Sequence, residues 1–166
     1  MKRTAWRWLT AAAAVLLAMG LYNLFYVRIW LGSEATSVLY GAKEATLYSI
    51  DPGILVPNGA KREFTAVPFG IVGKVKLTGE PLAMAKEAFA DAVAYDNDTG
   101  MFCFNPRHAL RIAADGHTYD FLLCYECEQI AVYKDGRELS GSRATGSPKI
   151  LNDLLTANNI PLPKSF

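Results

Sequence analysis

The sequence predicts an α+β domain, a small and mainly antiparallel sheet with two helices, preceded by an N-terminal transmembrane helix. Three observations predict it. Twenty uncharged residues, Trp8 to Val27, follow a basic start. Two Asp-Gly pairs, Asp115-Gly116 and Asp135-Gly136, stand between β-prone runs, which is a strong hairpin signal. Two stretches with helical apolar spacing carry a proline at their first turn, Pro81 and Pro148.

The N-terminal element comes first. Lys2, Arg3 and Arg7 form a basic flank, and the run WLTAAAAVLLAMGLYNLFYV behind it has the length that spans a bilayer, about 20 residues for about 30 Å. Trp6, Trp8, Tyr22, Tyr26 and Trp30 suit the interfacial belts, and the basic flank keeps the N-terminus cytoplasmic. The division expected is a signal anchor at 1–31, a small-residue linker at 32–44 and one extracytoplasmic domain at 45–166. Cleavage after a signal peptide is the alternative, at Ala18-Met19-Gly20 or Ser33-Glu34-Ala35, and it would release a secreted protein.

The body follows. Of 17 basic residues, four lie in the first 32 positions and none of the 16 acidic residues does, which leaves the rest of the chain at −3. A mildly acidic body does not seek phosphates, so nucleic acid is excluded as a partner. At 51% hydrophobic and near-neutral net charge, the 166 residues are not a disordered chain, and they hold one domain with a real core.

Residues 45–50 alternate as a strand until Asp51-Pro52-Gly53, and 51–64 read as loop. Residues 69–77 read as a strand. Pro81 to Tyr95 is a helix with Leu82, Ala85, Phe89 and Val93 on one face, ended by Asp96–Gly100. Residues 101–113 and 118–134 are the arms of a hairpin around Asp115-Gly116. A short strand follows near 138–143. Ser147 caps a final helix with Pro148 at its first position, and Asn158 or Asn159 ends it.

A two-residue turn at Asp115-Gly116 pairs Ala114 with His117, Ile112 with Tyr119 and Leu110 with Phe121. One face of the hairpin then collects His108, Leu110, Ile112, Tyr119, Phe121 and Leu123. The other collects Arg107, Arg111, Asp120, Cys124 and Glu126 and reads as mostly polar. A one-residue slip would scramble this division. The same register sets Arg111 opposite Asp120.

All three cysteines, Cys103, Cys124 and Cys127, lie in this hairpin with His108. Thiolate and imidazole ligands suit zinc, iron or copper, so these four residues are a candidate metal or redox site. In a continuous strand, however, Cys124 and Cys127 face opposite ways, and Cys103 sits about 13 Å along the ladder from Cys124. A disulfide needs Cα atoms within about 7 Å, so no pair closes without a bulge, for which Asn105-Pro106 is the candidate place. Outside the membrane, oxidising conditions favour one disulfide and leave one thiol over. Cys124-Tyr125-Glu126-Cys127 does not open a helix, unlike a thioredoxin motif. Arg107 and Arg111 beside the cysteines are candidate binding residues, for a thiolate or an anionic group.

The segment 73–162 resembles a family of small exported or membrane-anchored bacterial proteins. The residues that carry the likeness are Cys103-Phe104-Asn105-Pro106-Arg107-His108-Ala109-Leu110-Arg111, then Asp120-Phe121-Leu122-Leu123-Cys124-Tyr125-Glu126-Cys127, and Ser147-Pro148. The resemblance implies a grouping and a cell-envelope location, and no activity. The expected function is a binding or interaction domain held at the bacterial inner membrane through residues 8–27. It would face the periplasm or cell exterior and meet a protein partner of the envelope, without enzymatic chemistry. The alternative is a metal-binding or thiol-redox protein using Cys103, His108, Cys124 and Cys127. A hydrolase built on Cys103 and His108 is a third reading, without a placed third group.

Overall fold

A computed structural model describes residues 2–94 and 103–163, with side chains at Trp8 and from Ala12 onward. Helix α1 spans Lys2–Leu31 and α2 spans Ser33–Gly41. Strands β1 (Glu44–Leu55) and β2 (Phe69–Thr78) lead to α3 (Gly79–Asp91) and the two-residue β3 (Val93–Ala94). Then come β4 (His108–Ala114), β5 (His117–Cys124), β6 (Gln129–Lys134), β7 (Arg137–Ala144) and α4 (Lys149–Ala157). The sheet is seven-stranded, with order β2-β1-β4-β5-β6-β7-β3 and every neighbouring pair antiparallel. It is larger than the sequence suggests, because the run 118–134 divides into two strands and β3 is added, while β1 runs past Pro52 through a register shift between Asp51 and Leu55.

The β4–β5 hairpin has the register expected from its pattern, from Ala114 opposite His117 to His108 opposite Leu123. Asp115 and Gly116 both take positive φ, 52° and 78°, and Asp135 and Gly136 repeat this at 50° and 77°. That is the primed turn whose twist matches the strands it joins. The strand expected over 118–134 is instead two, β5 and β6, joined by a tight turn at Tyr125–Glu128. The helix end expected at Asp96–Gly100 and the start of the 101–113 arm lie outside the described residues.

The helices lie on one face of the sheet. Val27 and Leu31 of α1, Ala35 and Leu39 of α2, Leu82, Ala85 and Phe89 of α3 and Leu151 and Leu155 of α4 meet Leu47, Leu110, Phe121, Leu123 and Val132 in the main core. Phe89 and Phe121 contact edge to face, with centroids 6.5 Å apart. The region 32–44 is therefore not a bare linker. Gly32 breaks the chain direction at φ 87°, and α2 folds back onto the sheet with Ala35, Thr36 and Leu39 buried. Glu34 of α2 accepts hydrogen bonds from Tyr119 Oη at 2.8 Å and Lys134 Nζ at 2.7 Å, which lower its pKa. Ser140 Oγ donates to the Leu31 carbonyl at 2.7 Å and caps the end of α1.

The opposite face is also covered, against the expectation of a polar surface. Tyr48, Ile50, Phe64, Val67, Ala109 and Leu122 form a second, smaller core under the 56–68 segment. Arg111 fastens that segment. Its guanidinium donates to Asp120 at 2.6 and 2.9 Å, to Glu63 Oε1 at 2.9 Å and to the Glu63 carbonyl at 2.8 Å. It also lies 4.6 Å from the Phe64 ring centroid.

Within α1, Ala12–Leu31 is long and apolar enough to cross a membrane, with mean hydropathy 1.6. Val15, Leu16, Leu17, Met19, Leu21, Tyr22 and Phe25 are exposed. A continuous apolar surface of this extent demands a lipid or protein environment. Val27 and Leu31, at the end of the same helix, are fully buried in the body.

Candidate functional site

The β5–β6 turn brings Cys124 and Cys127 together, with Cα atoms 5.3 Å apart and their sulfurs at disulfide-bonding distance. No bulge in the ladder is required. The chain leaves the strand after Cys124, so the geometry of a continuous strand does not apply. Glu128 takes a positive φ of 51° and closes the turn. Both cysteines are buried, at 1% and 2% exposure, and the Cys127 N–H donates to Cys124 Sγ at 3.0 Å.

Cys103 joins them from outside the sheet. Residues 103–106 have no regular structure, and the ladder begins only with the Arg107 N–H bonded to the Leu123 carbonyl at 3.3 Å. Pro106 has no N–H to extend it. The freed segment crosses the turn. Asn105 N–H donates to Cys127 Sγ at 3.3 Å, and Phe104 packs against the second core. Cys103 is an exposed free thiol with its Sγ 3.6 Å from Cys127 Sγ.

The candidate metal set does not converge. His108 is buried on β4 and points its Nε2 at Asn152 Oδ1 of α4, 2.8 Å away. Burial lowers its pKa to about 4, so the ring is neutral. A neutral ring donates from Nε2, and its Nδ1 has no hydrogen-bond partner. The ring lies edge-on to Tyr125, with centroids 6.2 Å apart, and so packs beside the cysteine turn without reaching it as a ligand. Among the described residues no three His, Cys, Asp or Glu side chains form a metal-holding group.

The two arginines also fall apart. Arg107 flanks the turn, and its Nη2 lies 3.1 Å from Glu126 Oε1. Arg111 is engaged inside the chain, far along the strand, by Asp120 and Glu63. The sequence places the three cysteines in one cluster but does not show how they meet. The missing signal was the turn at Tyr125–Glu128, which has no Gly, Pro or Asn to announce it.

No protein-family model, curated protein or solved structure matches the chain. The chemistry of the site rests on its own geometry. A buried sulfur pair with an exposed thiol in van der Waals contact holds the atoms that thiol–disulfide exchange uses, a thiol beside a disulfide sulfur.

Proposed function

We propose that this chain is a membrane-anchored thiol–disulfide exchange domain on the extracytoplasmic side of a bacterial inner membrane. The single observation that carries the proposal is the 3.6 Å contact between Cys103 Sγ and Cys127 Sγ. A purely structural disulfide has no need of a third sulfur against it. Thiol chemistry thus moves ahead of the interaction-domain reading, one of whose two candidate contacts, Arg111, is spent holding the 56–68 segment.

The anchored location draws on two features. The exposed apolar helix is long enough to cross a membrane, and the burial of Val27 and Leu31 ties the end of that helix into the body. Cleavage after Ser33-Glu34-Ala35 would strip Val27, Leu31 and Ala35 from the main core, which favours retention of the helix. A disulfide persists in an oxidising compartment, in keeping with an extracytoplasmic body.

The test is a redox titration of the full-length protein in lipid nanodiscs, with thiols trapped by alkylation and counted by intact mass. The expected midpoint for Cys124–Cys127 lies above about −300 mV, with the far-ultraviolet circular dichroism unchanged on reduction. A midpoint below that value, accompanied by unfolding, would mark a structural disulfide and overturn the proposal.

A further inference from the structure

Cys124 and Cys127 present almost no surface to solvent, whereas Cys103 is exposed. A macromolecular thiol cannot reach the buried pair directly. We infer that Cys103 is the entry thiol of an internal relay, which exchanges with the Cys124–Cys127 disulfide at Cys127 and then oxidises a reduced protein or peptide dithiol at the surface. The inference rests on the thiol-exchange reading and adds to it a route and a substrate class.

The geometry selects which sulfur is attacked. Cys103 Sγ touches Cys127 Sγ, and the Asn105 N–H, two residues from Cys103, is bonded to that same sulfur. Cys124 is then the leaving group. Its sulfur already accepts the Cys127 N–H at 3.0 Å, a hydrogen bond that stabilises the departing thiolate. A better-stabilised thiolate leaves faster.

The steps balance. Cys103 gives its proton to water, and its thiolate attacks Cys127 Sγ. The Cys103–Cys127 bond forms as the Cys127–Cys124 bond breaks, and Cys124 leaves as a thiolate and takes up a proton. No net oxidation has occurred, but one sulfur of the disulfide is now at the surface. A thiolate of the substrate attacks Cys103 Sγ and releases Cys127. The second thiol of the substrate attacks the mixed disulfide and releases Cys103. The substrate has lost two electrons and two protons, and Cys124 and Cys127 end as thiols. A dithiol substrate completes the exchange within one molecule, whereas a single thiol on Cys103 is open to displacement by the neighbouring Cys127.

The experiment uses the full-length protein in detergent micelles and a synthetic peptide with two cysteines, added reduced. The wild-type protein oxidises the peptide in a single stoichiometric turnover, and Cys103→Ser, with its Cys124–Cys127 bond still closed, does so at least about tenfold more slowly. In Cys124→Ala, oxidised glutathione yields a Cys103–Cys127 disulfide by peptide mapping. Equal rates for wild type and Cys103→Ser would overturn the relay and leave the exchange reading standing. Separate glutathione adducts on Cys103 and Cys127 in Cys124→Ala would also overturn it. Failure of both proteins to oxidise the peptide would overturn the relay and the reading beneath it.

Discussion

Cys103 Sγ rests 3.6 Å from Cys127 Sγ across 24 positions of sequence, held there by the Asn105 N–H bonded to the same sulfur. The contact depends on where the ladder stops. Pro106 ends the pairing of the first hairpin arm, Cys124 ends the pairing of the second, and the two loose ends cross. Both termination points lie at the same edge of the β4–β5 hairpin, so one exposed thiol and one buried pair share a corner of the sheet.

The end of the apolar helix α1 is part of the core. Leu31 is fully buried among residues of the main core. Leu31→Ala is expected to destabilise the body by about 2–5 kcal/mol, as for other buried leucines. Exposed Leu17 lies in the same helix, and Leu17→Ala leaves the stability of the body unchanged. Thermal unfolding of both variants in the same detergent checks this. A fragment beginning at residue 33 lacks Val27 and Leu31 and is expected to unfold at lower temperature than the full chain.

His108 makes stability pH-dependent. Its pKa falls from an ordinary value near 6.5 to about 4, chiefly through burial. The unfolded chain therefore binds a proton at a higher pH than the folded one does. The neutral ring is fully favourable above pH 6.5, and stability is lost as pH drops from there through 4. The loss is on the order of 3 kcal/mol at the acid end. Urea unfolding at pH 7 and pH 4.5 is expected to show it, and His108→Gln is expected to flatten the difference. An unchanged pH difference in His108→Gln would assign the effect to other groups.

Arg111 fastens the 56–68 segment over the second core. Arg111→Met leaves the buried Asp120 carboxylate without its partner, and the expected cost is about 3 kcal/mol. The same substitution leaves Glu63 held only by Tyr48 Oη and Lys74, and the loosened segment is expected to open to protease. Limited proteolysis followed by mass mapping is expected to find the first cuts between residues 56 and 68. Replacing Asp120 by Leu together with Arg111→Met is expected to recover part of the loss, because no buried charge then remains.

Much of this architecture is legible in the sequence. Asp115-Gly116 and Asp135-Gly136 announce their turns, and apolar alternation on β4 and β5 fixes their register to the residue. Asn159 takes φ 57° just past α4, the left-handed stop its residue type favours, and the Ile160 N–H returns to the Leu155 carbonyl at 3.0 Å. The rest is obscured for physical reasons. Ser33, Thr36, Ser37 and Gly41 read as linker, because the burial of α2 rests on only Ala35, Thr36 and Leu39 packing against a sheet that is distant in sequence. The β5–β6 turn is hidden in a β-prone run, because sulfur contact and a positive φ at Glu128 replace the usual turn residues. A metal site and a disulfide beside a free thiol draw on the same residue types, and the direction of His108 toward Asn152 is what sets the histidine apart from the three cysteines.

The most direct measurement is the intact mass of the full-length protein, purified without reductant and alkylated before and after denaturation. One adduct is predicted in both states, located on Cys103, with a Cys124–Cys127 linkage in the peptide map. Three adducts after denaturation, or a Cys103–Cys124 linkage, would contradict an exposed entry thiol resting on a closed, buried pair.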